Sequence, residues 1–162
     1  MYTEDSNAYQ EVVDRLARKL TLAATKVPAP EIRKAPDASI GIVGLGGCHA
    51  ALLEAIDILA SQGIVADYMR IRGFPFDAPV RAFLDAHPVT FVVEQNRDAQ
   101  LRSLLAIETG KPRDEMTSVL DYGGMPLTAG KVVAAVMQHV ASSTEAPGPG
   151  HNSGARAIAG RG

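Results

Sequence analysis

The sequence predicts an α/β domain, a three-layer α/β/α sandwich around a parallel sheet, and three observations carry that prediction. Between Ser39 and Val140, short apolar runs alternate four times with stretches whose apolar residues recur at helical spacing. The run V-T-F-V-V at 89–93 shows no alternation of apolar and polar residues, which predicts burial on both faces, as in a parallel sheet covered by helices. The connections are short, so right-handed crossovers close these units into one domain of about 100 residues. At 162 residues the chain has room for one such domain with appendages, not for two of ordinary size.

Residues 1–26 form the first segment. From Ser6 to Lys26, Tyr9, Val12, Val13, Leu16 and Leu20 recur at helical spacing with Glu11, Asp14, Arg15, Arg18 and Lys19 between them, which predicts one amphipathic helix. Residues 27–38 follow as a proline-rich linker, because Pro28, Pro30 and Pro36 remove backbone donors and disfavour helix at the residues before them. A short edge strand fits around Ile32.

Residues 39–140 are the α/β domain. S-I-G-I-V-G-L-G-G reads as a strand running into glycines, followed by a helix with Leu52, Ile56 and Leu59 on one face and Gly63 at its stop. V-A-D-Y-M-R-I-R is the next strand. Asp77 stands where a cap is wanted for a short helix bearing Val80, Phe83 and Leu84, and His87-Pro88 ends it. After V-T-F-V-V, Leu101, Leu104 and Leu105 form a helical stripe that stops at Gly110 and Pro112. Thr117 to Leu120 is a last strand, D-Y-G-G-M-P a turn, and Thr128 caps a helix with Val132, Val133, Val136, Met137 and Val140. Residues 141–162 lack the apolar residues needed to offset the entropy of ordering and are expected to be disordered.

Composition narrows the function classes. A net charge of −2 offers no basic face for nucleic acid and no polybasic membrane anchor. A single cysteine, Cys48, makes no intrachain disulfide and cannot supply the thiolates of an iron–sulfur cluster. No apolar run is long enough to span a bilayer, and M-Y-T-E-D-S lacks the features of a signal peptide, so a cytoplasmic, reducing setting is expected.

In an open α/β sheet, ligands gather at the carboxyl ends of the strands, which directs attention to the loops at Gly44, Arg72, Glu94 and Asp121. G-L-G-G-C-H matches half of a dinucleotide fingerprint, with His49 in the third glycine position and Asp67 early in its strand rather than at its end. A tight strand-to-helix turn explains Gly44, Gly46 and Gly47 better, and it leaves a weak anion-site candidate at their amides. Cys48 and His49 are adjacent, so their side chains diverge, and a buried inert thiol is favoured over a nucleophile and its base. His49, His87, His139 and His151 have no metal-ligand spacing, so no metal site is expected.

Two clusters remain. Phe74 and Phe76 share the loop R-I-R-G-F-P-F-D and must bury against either the domain's own helix or another subunit. In E-Q-N-R-D, Asn96 or Asp98 can cap the following helix. Glu94 ends a strand buried on both faces, where an unpaired charge costs several kcal/mol, so a partner is expected, with Arg97 and Arg72 as candidates.

V-V-E-Q-N-R-D-A-Q-L, preceded by D-Y-M-R-I-R-G-F-P-F and followed by L-D-Y-G-G-M-P-L-T, resembles the carboxyl-terminal part of the alpha subunit of 2-oxoglutarate:ferredoxin and related 2-oxoacid:acceptor oxidoreductases. The start, Y-T-E-D followed by D-R-L-A-R-K-L, resembles the stretch leading into that domain. Two departures stand out: Ala99 where a glycine is expected, and G-L-G-G-C-H in place of a G-W-G-S-T-like turn.

The resemblance implies a fold like the carboxyl-terminal domain of transketolase, a mostly parallel sheet with one antiparallel edge strand near Ile32. It further implies an enzyme in which alpha and beta subunits oxidise a 2-oxoacid with coenzyme A, using thiamine diphosphate for decarboxylation and iron–sulfur clusters to reach ferredoxin. The thiamine-binding domains lie outside the matched region. The expected role is therefore a non-catalytic carboxyl-terminal domain or fragment serving assembly with a beta subunit and the remaining alpha-subunit domains, with 2-oxoglutarate the favoured substrate of the whole. Glu94, Gln95, Asn96, Arg97 and Gln100, together with Phe74 and Phe76, become interface candidates, and no residue is given a catalytic role. The alternatives are a free-standing nucleotide or coenzyme A binding module using the Gly44 loop, and a pure assembly element that holds an oligomer together.

Overall fold

The structure, a computed structural model, describes residues 4–145. It opens with helix α1 (Ser6–Ala23), whose first turn is capped by the Asp5 carboxylate accepting from the Asn7 amide at 2.9 Å. The linker contributes a three-residue strand, β1 (Glu31–Arg33). Then come β2 (Ile40–Leu45), α2 (His49–Ser61), β3 (Ala66–Ile71), α3 (Ala78–Ala86), β4 (Val89–Glu94), α4 (Gln100–Thr109), β5 (Met116–Leu120) and α5 (Ala129–Glu145). Every strand and helix of the predicted alternation is present. The last helix continues past Val140 to Glu145, so the expected tail begins inside it; residues 146–162 lie outside the described residues.

The sheet has the order β1-β3-β2-β4-β5. β2 pairs in parallel with β3 and β4, and β4 with β5, while β1 runs antiparallel on the edge with Ile32 opposite Met69. This is the mostly parallel sheet with one antiparallel edge strand that the resemblance implies.

The side chains of β2 and β4 alternate between two cores. Ile42, Phe91 and Val93 pack with Leu52 and Leu59 of α2 and Val132 and Val136 of α5. Val43 and Val92 pack on the other face with Phe83 and Leu84 of α3 and Leu101 and Leu105 of α4. Burial on both faces is why V-T-F-V-V carries no alternation.

Asp67 holds the linker to the domain. One carboxylate oxygen accepts from the Ala35 amide at 2.8 Å and the other lies 3.1 Å from His87 Nε2, while His87 Nδ1 lies 2.7 Å from the Phe83 carbonyl. Asp67 is buried at the amino end of β3, which removes it from any ribose-binding role.

α1 stands apart from both cores. It buries no residue, and Tyr9, Leu16 and Leu20 are more than half exposed. The amphipathic stripe predicted from the sequence is therefore present and uncovered by the described residues of this chain.

Candidate functional site

The connection after β2 runs to α2 on one face of the sheet, and the connection after β4 runs to α4 on the other. Neighbouring parallel strands whose connections depart to opposite faces leave a crevice at their carboxyl ends, the usual place for a site in an open α/β sheet. Here the crevice lies between the Gly46–Cys48 turn and the Gln95–Ala99 loop. The Arg72–Phe76 loop flanks it on the β3 side, and residues 121–127 on the β5 side.

Glu94 is 1% exposed at the end of β4. Its carboxylate accepts the Leu101 amide at 2.7 Å and the Arg102 amide at 3.2 Å, both in the first turn of α4, and also accepts from the side-chain amide of Asn96. Those amides are orphan donors at the positive end of the helix, so the charge is compensated by backbone rather than by an arginine. Neither expected partner is used. Arg97 points outward and pairs with Asp98 at 2.8 Å, and Arg72 makes no side-chain contact with Glu94. Glu94 is thus a seam between β4 and α4 inside the domain, not a surface residue.

Asn96 takes half of the capping role expected of it. Its Oδ1 accepts from Asp98 N at 3.0 Å and from Gln100 N at 3.3 Å. Asp98 does not cap. The residue at the cap position is Ala99, 3% exposed and left-handed at φ 53°, which explains why a glycine is the expected residue there. Gln95, Arg97 and Gln100 are exposed around this loop and remain available to a partner.

The glycine loop divides into two roles. Gly44 is buried in β2, and a Cβ there would lie 2.3 Å from Leu52 Cδ1, so this glycine lets α2 rest on the sheet. Gly46, at φ 57°, makes the exposed turn, and Gln95 Oε1 lies over Gly47. Cys48 is 1% exposed, and burial pushes its thiol up, as suits an inert core residue. His49 diverges from it, placing Nδ1 3.0 Å from the Tyr68 hydroxyl.

Clefts of about 710 Å³ and about 590 Å³ flank the crevice. The larger is lined by Arg70, Arg72, Phe74, Phe76 and Leu104 among others. Phe74 and Phe76 meet edge to face with centroids 5.3 Å apart; Phe76 packs against the α3/α4 core while Phe74 stays 44% exposed. Burial against the domain's own helices therefore holds for Phe76, while Phe74 is left partly uncovered by the described residues. The smaller cleft is lined by Gly47, Gln95, Asp121, Tyr122 and Met125.

Sequence reading pointed to the loop at Asp121 and named Gly47 and Gln95, but missed Tyr122 and Met125 in that second cleft. Asp121 is buried and accepts from Lys131 Nζ at 2.6 Å, while Tyr122 and Met125 stand 65% and 72% exposed. D-Y-G-G-M-P is dominated by turn formers; the signal available was a tyrosine and a methionine placed where nothing covers them. Leu45, Phe74, Tyr122 and Met125 give this edge of the sheet an apolar rim. Among the described residues no three His, Cys, Asp or Glu side chains gather to hold a metal ion, and no helix is long and apolar enough to cross a membrane.

No protein-family model matches the chain. It is 27% identical over 148 residues to the alpha subunit of 2-oxoacid:ferredoxin oxidoreductase 2 from Aeropyrum pernix, a match covering 88% of this chain and 23% of that one. Its structure superposes with a TM-score of 0.75 on a 2-oxoglutarate:ferredoxin oxidoreductase from Magnetococcus marinus solved with 2-oxoglutarate, coenzyme A and succinyl-CoA bound, at 20% identity over 85% of this chain and 24% of that one. A split-gene transketolase, an inactive beta4 tetramer, matches at a TM-score of 0.55 and 24% identity over 69% of this chain and 41% of that one. The chain is thus similar over most of its length to 2-oxoacid:ferredoxin oxidoreductase alpha subunits, shares the transketolase carboxyl-terminal-like fold, and spans about a quarter of those oxidoreductase chains.

Proposed function

We propose that this chain is the carboxyl-terminal domain of a 2-oxoacid:ferredoxin oxidoreductase alpha subunit, serving assembly while the chemistry resides on companion domains and a beta subunit. The observation that carries this reading is the match of nearly the whole chain to 23% of a longer alpha subunit. The residues support it. The carboxylate that looked most like chemistry, Glu94, is consumed by capping α4, and the one thiol is buried.

The surfaces that fit assembly are the α1 stripe and the carboxyl edge of the sheet, where Phe74, Gln95, Arg97, Gln100, Tyr122 and Met125 are exposed. Their mixture of aromatic, methionine, arginine and amide side chains suits a protein interface. One cysteine cannot hold a cluster, so in this reading iron–sulfur chemistry falls to the companion domains or the beta subunit, as do thiamine diphosphate and coenzyme A turnover, and no reaction step is assigned here. The favoured substrate of the whole enzyme is 2-oxoglutarate, and its setting the cytoplasm. The alternative of a nucleotide or coenzyme A binding module using the Gly44 loop is less favoured at Gly44 itself, where Leu52 fills the space, while Gly46 and Gly47 stay open.

The test is purification of the tagged chain from its host. The expected product is an assembly that reduces ferredoxin or a viologen dye with a 2-oxoacid and coenzyme A, while the chain alone is inert. Recovery of the chain with no companion, or decarboxylation by the homogeneous chain, overturns the reading.

A further inference from the structure

The larger cleft has the size and lining of a small-molecule site. Its volume, about 710 Å³, falls inside the range of roughly 300–1,000 Å³ typical of ligand pockets. Its apolar wall is built by Leu45, Ile71, Phe74, Phe76, Leu101 and Leu104, drawn from the ends of β2 and β3, the loop after β3 and the first turns of α4.

The charges at its mouth do not cancel. Arg70 lies 3.6 Å from Glu31, and that pair is neutral. Arg72 also lines the cleft, is exposed, and its guanidinium has no hydrogen-bond or ion-pair partner among the described residues. One uncompensated positive charge therefore stands beside an apolar wall in a chain whose net charge is −2. A guanidinium is a planar fork that matches a carboxylate or phosphate, and the aromatic wall matches a flat apolar body.

We propose that this cleft binds an organic anion whose apolar or aromatic body lies against Phe74, Phe76 and Leu104 and whose carboxylate or phosphate is held by Arg72. The cleft is lined by residues of this chain, Phe74 being shared with the surface proposed for assembly, so the inference is tested on the chain without companions.

The experiment is titration calorimetry of the isolated chain with ADP, 3-phenylpropanoate and inorganic phosphate. The variants are Arg72→Gln and, as a control at the opposite, amino end of the parallel strands, Arg113→Gln. One organic anion is expected to bind with a stoichiometry of one. Arg72→Gln should weaken it by about 10- to 100-fold, the loss expected for a charge-assisted hydrogen bond, and Arg113→Gln should leave it unchanged. Tighter ADP assigns a phosphate ligand and tighter 3-phenylpropanoate a carboxylate. Because Arg72 makes no bond that the fold uses, circular dichroism of the variant should match the parent. The proposal is overturned by any of three results: no binding of either organic anion at millimolar concentration, undiminished binding by folded Arg72→Gln, or inorganic phosphate binding as tightly as ADP.

Discussion

The Glu94 carboxylate and the Leu101 amide meet at 2.7 Å, and this bond joins the end of a strand buried on both faces to the start of a helix that covers it. Removing the acceptor leaves the Leu101 and Arg102 amides without their partner in a site closed to water. Glu94→Ala should lower unfolding free energy by about 3 kcal/mol, near the upper end for a lost cap and an unsatisfied buried donor. Glu94→Gln keeps an acceptor oxygen but loses the charge that complements the helix dipole, and should lose about half as much. Urea midpoints of the two variants check this; parental stability of Glu94→Ala would refute the capping role.

Ala99 holds the left-handed conformation that the bend from β4 into α4 requires, at φ 53° and 3% exposure. Glycine relieves the backbone strain but gives up a buried methyl and gains freedom in the unfolded chain, so Ala99→Gly should change stability by less than about 1 kcal/mol. Valine cannot adopt the conformation cheaply and is also too large for the site, and Ala99→Val should lose at least about 2 kcal/mol. Thermal melts of the pair give the comparison. Equal stability of the two variants would mean that the backbone at this position is not left-handed in solution.

These two residues mark how far the sequence could be read. The elements of the domain were legible because burial writes a period into the chain: none in V-T-F-V-V, which is covered on both faces, and 3.6 in α2 to α5, which are covered on one. The acidic seam was legible as a cost, since a strand-end carboxylate must find a partner. Its partner was not, because backbone amides carry no letter in the sequence and the arginines nearby do. The same blindness applies to Gly44, whose purpose is set by a leucine eight positions on, and to Asp121, whose ion pair with Lys131 depends on how α5 returns to the sheet.

Tyr68 is fully buried in β3, and burial pushes its hydroxyl up to about 12 from an ordinary value near 10. The folded state therefore holds this proton more tightly than the unfolded state does. The associated stability is complete below about pH 10 and is lost as pH rises through about 12, amounting to roughly 3 kcal/mol over the two units. Tyr68→Phe should abolish this part of the alkaline destabilisation while losing the hydroxyl's contact to His49. Denaturant melts between pH 9 and 12, with phenolate absorbance followed in parallel, test it; an unchanged alkaline slope in Tyr68→Phe would place the effect elsewhere.

α1 contributes no buried residue, so the sheet and its covering helices should not depend on it. Deletion of residues 1–23 should leave the domain's melting temperature within about 5 °C of the parent, a shift worth about 1 kcal/mol in a domain of this size, because α1 adds no residue to either core. Most helical stability in proteins comes from packing an amphipathic face, so α1 calls for a surface to cover Tyr9, Val12, Val13, Leu16 and Leu20. In the assembly reading that surface belongs to a companion polypeptide. The deletion, and separately Leu16→Asp, should therefore release the companion while the domain stays folded. Melting and co-purification measured on the same samples separate the possibilities. A large drop in melting temperature would show that α1 belongs to this domain's own core, and retention of the companion by both variants would move the contact to the carboxyl edge of the sheet.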